Sequence, residues 1–392
     1  MLDFAGAAGS SAADEAFDAA AFFGPVADDK GQVVSKARHD LPGLATPALE
    51  LRLDNGRTVV FLRTDFRDDE VVLYGAAPGG LSTVCGRSAT LTPLAFAARF
   101  ASSLAREYGP FGAPKALLAD ALGGRRVRLD ADFDAYRRVL SGDCAVDELE
   151  TLLALTARHF HEPLKRSAGR LETLKRLARE NVRERWRDPK ARYAKAIDEV
   201  NTRDHPYWRP ASLADVDTFD AAASADFYDA AFSSPEGFAL CFSGTFDVDD
   251  GALEELVKAY LGPLRPRGDV DRPEDAAFGF GEGSGALPAF GAARTIAPLD
   301  AKFPDGGPHV RVVHAPLASV ETDDDAALRG CQSRLSFPVK VAGVGADDVE
   351  TSRDRLRENA TLEVAAMILE SKLVESLRFS ASKVYDLSLI HI

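Results

Sequence analysis

The sequence is poor in the short arrangements that announce chemistry. Its four cysteines, Cys85, Cys144, Cys241 and Cys331, lie far apart. No CxxC occurs, so neither a zinc knuckle nor a dithiol redox pair is indicated, and the four read as plain thiols, buried or at the surface. The seven histidines are His39, His159, His161, His205, His309, His314 and His391, and none has a second histidine four residues on. That removes both HExxH and HxxEH, the helical signatures of catalytic zinc. His159 and His161 are two apart, and on a helix such side chains point about 200° apart. They cannot share an ion, and they read as histidines at a helix end favoured by its dipole. There is no G-x-S-x-G elbow, and Gly79, Gly80 and Gly86 are followed by no Lys-Ser/Thr of a phosphate loop. Asp323, Asp324 and Asp325 lack the glycine and distal glutamate of an EF-hand and read as a solvated acidic loop.

Other absences bound the partners. No apolar run approaches the roughly 18 residues of a spanning helix. The acidic start has no basic n-region, so it is neither a secretory signal nor an Arg-rich transit peptide. The expectation is a cytosolic protein or a native start upstream of Met1, with the compartment left open. Lys and Arg number 47 against 61 Asp and Glu, a net charge of −14. Such a chain is a poor general binder of nucleic acid or anionic membrane, although a local basic patch remains open.

What is present is ordinary globular material: 392 residues, 46% hydrophobic and 28% charged, enough for a real core and for two or three domains or one large one. Residues 1–45 are rich in Ala, Gly, Asp and Ser and read as a tail or linker with a short helix near Glu15–Phe23. Leu49, Leu51 and Leu53 alternate with polar residues. Then come Asn55-Gly56 and the β-rich run Thr58–Leu62, a strong hairpin signal because both turn residues accept positive φ. A third strand is expected over Glu70–Ala76. Helical spacing then places Leu94, Ala97, Ala98, Ala101 and Leu104 on one face, with Pro93 in the first turn. A shorter helix is expected over Pro114–Leu122, strands over Arg126–Asp132 and Ala135–Leu140, and a helix over Asp147–His159. The stretch 164–199 reads as one long charged helix. Its basic residues read as a solvated surface neutralised by Glu172, Glu180 and Glu184 rather than as a polyanion face. A loop at 205–210, a helix Ala225–Phe232 capped by Ser224, a strand Gly237–Ser243 and a helix Leu253–Leu261 complete the first unit. The Gly/Pro/Asp-dense stretch 267–294 reads as a linker. A second unit over 295–392 is expected to hold strands at His309–His314 and Gln332–Phe337 and an amphipathic helix Asp354–Leu377.

Several stretches together resemble the insulinase/pitrilysin family of zinc metallopeptidases. They are Leu53–Val60, Thr64–Val71, Ala77-Pro78-Gly79-Gly80-Leu81-Ser82, Leu118–Gly124 leading into Val127, Asp147–Leu153, and Phe242–Asp249 with Leu256–Leu264. Their order and spacing match the third of the family's four homologous domains and cover about 49–390. The resemblance implies an α+β fold of pitrilysin/insulinase-type domains, each an antiparallel sheet flanked by helices. One such domain would be complete over 46–266 and one truncated over 295–392. It implies a zinc metalloendopeptidase that closes two halves around a peptide or unfolded polypeptide. The Zn2+ would be bound by an N-terminal half absent from this sequence, on the same chain or a partner subunit. The helix Pro93–Leu104, which matches the family's metal helix, has no His and no Glu, so the chain itself holds no metal by this reading.

In the fourth domain of that family an Arg and a Tyr seven residues apart reach the substrate and the developing oxyanion. Arg378 and Tyr385 match that spacing after the Leu-rich helix, and a guanidinium and a phenol O–H are suitable donors for a tetrahedral intermediate. The chain closes on Asp386–Ile392 where a family member would run on, so a fragment truncated at both ends is expected, with 386–392 open as native sequence. Two alternatives stand beside the protease half: an inactive family member serving as a structural or partner-binding subunit, and an unrelated α+β module whose linker and helix 164–199 contact a partner.

Overall fold

In the computed structural model of the chain, residues 18–85, 93–267 and 349–376 are described, together with 299, 304, 311 and 312. The chain divides into two compact units, Met1–Cys331 and Gln332–Ile392. Within the first unit the order is α1 (Ala19–Phe22), β1 (Val33–His39), β2 (Ala48–Leu53), β3 (Thr58–Arg63), β4 (Glu70–Pro78), α2 (Ser82–Cys85), α3 (Pro93–Arg99), α4 (Ala101–Tyr108), α5 (Lys115–Ala121), β5 (Val127–Phe133) and β6 (Arg137–Ala145). A single 3-10 turn, Val146–Glu148, then leads into α6 (Leu149–His161), α7 (Ala168–Arg187), α8 (Pro189–Asn201), α9 (Leu213–Asp217), α10 (Ala221–Phe232), β7 (Ala239–Gly244) and α11 (Asp250–Tyr260). In the second unit α12 spans Val349–Leu373, the helix expected over Asp354–Leu377. The strands expected at 309–314 and 332–337 and the acidic loop 323–325 fall outside the described residues, apart from Arg311 and Val312. The 267–294 linker does too, apart from Arg267.

The strands form one seven-stranded sheet in the order β1-β2-β3-β7-β4-β6-β5. Every pairing is antiparallel except β3 with β7. Alternation explains the layering: Leu49, Leu51, Leu53, Val59, Phe61, Val71, Leu73, Leu240 and Phe242 are all buried, while Val72 and Tyr74 on the opposite pleat are exposed. The buried face packs under the helices, with Phe160 of α6, Phe227 and Phe232 of α10 and Leu253 and Val257 of α11 in one continuous core. This is the α+β, helix-flanked sheet expected from the sequence.

Local chemistry accounts for the differences in detail. The hairpin closes through a three-residue loop, because Leu53 N–H donates to Arg57 O and only Gly56 takes a positive φ, 81°. The tail expected over 1–45 contains a strand: β1 is the sheet's edge, tied to α11 by Lys36–Glu254 at 2.8 Å and Arg38–Asp250 at 2.7 Å. The helix expected over 93–104 is divided at Phe100, whose N–H bonds back only three residues, to Ala97 O. The single helix expected over 164–199 is two. Asp188 is extended (ψ 118°), as a residue before proline prefers, and its carboxylate caps α8 by accepting from Lys190 N–H. Likewise α10 begins four residues before the expected Ala225, capped by Asp220 at 3.0 Å from Ala223 N, and Ser224 is a buried residue inside it.

Candidate functional site

The helix pair that matches the metal-binding element of the resemblance, α3 and α4, packs against α7 and α10. The Phe96 and Phe100 rings lie 4.9 Å apart, tilted at 48°, and both meet Phe219, at 6.4 and 5.5 Å. With Leu174, Ala178 and Val216 they line a narrow apolar cleft between α3 and α7. Arg99 spans the next loop, its guanidinium donating to Arg209 O at 2.7 Å. The buried positions of α3 and α4 are Ala95, Phe96, Ala97, Ala98, Ala101, Ser102, Leu104, Ala105 and Tyr108. None offers an imidazole or carboxylate. Among the described residues no three His, Cys, Asp or Glu side chains converge in a way that could hold a metal ion. The residues present therefore do not fit a zinc, and no metal-assisted step is drawn through them.

Other nucleophile or base candidates are disarmed by burial. It pushes the Cys85 thiol up to about 11 and the Cys144 thiol up to about 12, so neither supplies a thiolate near neutral pH. His161 is exposed, but His159 is not the dipole-favoured, charged histidine expected at a helix end. It is buried, with its ring 4.6 Å from Phe232, 5.8 Å from Tyr228 and 5.9 Å from Phe111. Desolvation, with the Arg267 charge adding to it, pulls it down to about 3.

This has a consequence for acid stability. A base whose folded value lies below its unfolded value of about 6.5 favours folding fully above that value, and the contribution fades as pH falls toward 3. His159→Phe is expected to flatten this loss. The gap in unfolding free energy between pH 7 and pH 4.5 should shrink by on the order of 2 kcal/mol relative to the parent chain. Urea titrations at the two pH values measure it, and equal gaps would remove His159 from the account.

Two features of the unit were not legible in the pattern. Arg57 is fully buried, and its Nη1 donates to Leu261 O at 2.7 Å. Asp229 is buried where it accepts from Leu164 N–H at 3.0 Å, with Arg166 at 3.4 Å and Arg267 at 3.5 Å. A polar residue in a mixed stretch carries no periodic signal of which neighbour, many residues away, will cover it. Arg378 and Tyr385 lie outside the described residues.

The architecture is a helix-flanked, seven-stranded sheet whose helices α3 and α4 bury mainly alanines and aromatic residues. Along 348 residues the chain is 22% identical to a protein of Arabidopsis thaliana called zinc protease PQQL-like; the match covers 89% of this chain and 29% of that one. The periplasmic protease PqqL of Escherichia coli superposes with a TM-score of 0.50 at 16% identity, over 63% of this chain and 26% of that one. A mutant of the ferredoxin protease FusC, in complex with Arabidopsis ferredoxin, gives a TM-score of 0.49 at 18% identity, over 62% and 25%. No protein-family model matches the chain. The insulinase/pitrilysin resemblance read from the sequence therefore stands: the chain is similar to a zinc protease along most of its length and shares the fold of the periplasmic protease PqqL. It spans 29% of the length of the curated relative it matches. No helix among the described residues is long and apolar enough to cross a membrane.

Proposed function

We propose that this chain is the non-zinc-binding half of a zinc metalloendopeptidase. In this reading it forms a wall of a chamber that holds a peptide or unfolded polypeptide. The other half, on the same chain or on a partner subunit, binds the Zn2+, which polarises the scissile carbonyl and activates water when present. The observation that carries the reading is the combination of a protease-type domain with helices α3 and α4 whose buried positions offer no imidazole or carboxylate. The likeness to a named zinc protease along most of the chain supports it. Arg378 and Tyr385 are proposed as the donors that meet the substrate and the oxyanion, one through an always-charged guanidinium and the other through a phenol O–H.

The expected result for the purified chain, supplied with zinc and a quenched fluorescent peptide, is no cleavage. Zinc-dependent, chelator-sensitive hydrolysis by this chain alone overturns the assignment. Supplied with a half that carries HxxEH, it is expected to support cleavage, with Arg378→Ala and Tyr385→Phe lowering kcat more than they raise KM. A complex that forms and stays inactive favours the structural-subunit alternative instead.

A further inference from the structure

We infer that the α7–α8 surface is a docking face for an acidic stretch of polypeptide. Residues 165–195 carry twelve Lys and Arg against four Asp and Glu, a local charge of +8 in a chain whose net charge is −14. The remainder therefore carries −22, and the basic side chains are concentrated rather than scattered.

Their placement is regular. Leu171, Leu174, Ala178 and Val182 turn one side of α7 inward, where Leu171 and Leu174 pack on the core and Val182 is buried. Arg176, Arg179, Arg183 and Arg187 recur at i, i+3, i+7 and i+11, which places them in one stripe about 16 Å long on the side of α7 turned away from that buried side. Arg183, Arg185 and Arg187 are exposed.

The carboxylates expected to neutralise this helix largely do not. Among the described residues only Glu180 of the three pairs within α7, with Arg176 at 3.3 Å, and both partners are more than half exposed. Arg179 reaches Asp217 of α9 at 2.8 Å. No ion pair is formed by Arg183, Arg185 or Arg187 with any described residue. An exposed row of guanidiniums, each a planar fork that matches a carboxylate, is costly in mutual repulsion and suited to an anionic partner.

Polypeptide fits better than nucleic acid. Exposed Trp186 offers a stacking platform, but Lys195 sits over its ring at 5.2 Å from the centroid. The −22 of the remainder opposes any long polyphosphate beyond the patch. An extended peptide presents every second side chain on one side, about 6.8 Å apart, close to the 5.4 Å rise between turns of the stripe. The occupant's identity as substrate rests on the peptide-handling reading above; the binding does not.

The test is a fluorescence-anisotropy titration of the full chain with a labelled 20-residue polyglutamate, a Gly-Ser peptide of equal length and a single-stranded oligonucleotide, at low and high salt. Polyglutamate is expected to bind best, and more weakly in high salt. Arg183→Glu with Arg187→Glu should weaken it about tenfold. Arg52→Glu with Arg128→Glu, which changes the net charge equally on the exposed sheet face, should leave it within about twofold. No preference for polyglutamate over Gly-Ser, equal weakening by both pairs of substitutions, or tighter binding of the oligonucleotide overturns the proposal. Because no cleavage is read, a chain that binds polyglutamate yet never supports proteolysis leaves this face standing and removes only the protease reading.

Discussion

Gly80→Ala is expected to destabilise the first unit by about 3 kcal/mol or more. A Cβ at position 80 would lie 2.3 Å from Asp134 O, 2.5 Å from Arg137 N and 2.6 Å from Tyr136 N. All three are backbone atoms, and the loop holding them cannot retreat cheaply. Gly79 N–H donates to Tyr136 O at 2.9 Å, Leu81 N–H to Asp134 O at 2.9 Å and Ser82 N–H to Ala135 O at 2.7 Å. The Asp134 carboxylate closes the same turn from within, accepting from Tyr136 N–H at 2.7 Å and Arg137 N–H at 2.5 Å. The Pro78-Gly79-Gly80-Leu81 stretch is thus a close approach between the end of β4 and the β5–β6 turn, where only hydrogen fits. Gly169→Ala is the matched control, because nothing lies within 4 Å of a Cβ there and the position is helical. It is expected to be neutral or to stabilise by up to about 1 kcal/mol. Urea midpoints compare the two, and similar values for both variants would refute the close-approach argument.

Arg57→Ala is the second large effect, a loss of about 3 kcal/mol. The guanidinium leaves the hairpin loop, donates to Leu261 O at the C-terminal end of α11 and lies 5.2 Å from the centre of the Phe160 ring. Helix ends of that polarity attract cations, and Asn55 Nδ2 joins it on the same carbonyl at 2.9 Å. Burial pulls the Arg57 guanidinium down to about 9, so it is charged at neutral pH but poorly solvated. Truncation to alanine opens a cavity and removes a charged donor. Arg57→Met restores most of the volume and abolishes the desolvation cost of the charge, so it is expected to recover at least half of the loss. If Arg57→Met proves no more stable than Arg57→Ala, the hydrogen bond rather than packing governs the site.

The two positions differ in how far the sequence reveals them. Gly80 stands in a Pro-Gly-Gly stretch that marks a turn, although nothing local says which backbone will press against it. Arg57 follows a turn signal but has no cue that it will be buried, because the helix end it serves is about two hundred residues away in the chain. His159 shows the same blindness in reverse. Its position at the end of a helix suggests a favoured charge, and the aromatic rings of Phe111, Tyr228 and Phe232 close around it instead. The strand β1 is overlooked because the Ala- and Gly-rich residues before it set the tone of the whole segment, whereas its backbone ladder with β2, over which ion pairs to α11 are laid, decides its fate. The α7–α8 break could be read from Pro189 alone.

Periodicity and turn chemistry, both properties of neighbours in the chain, determined the β2–β3 hairpin, the strands β4 and β5, and the helices α6 and α11. Tertiary structure decided the rest. It inserted β7 between β3 and β4 as the one parallel pairing among the described strands, buried Arg57 and His159, and left Glu180 as the one glutamate of α7 that pairs with its arginine stripe among the described residues. The reason is physical: a period of two or of 3.6 residues records which side of an element is apolar, but not which distant element covers that side, and desolvation and charge pairing depend on the cover.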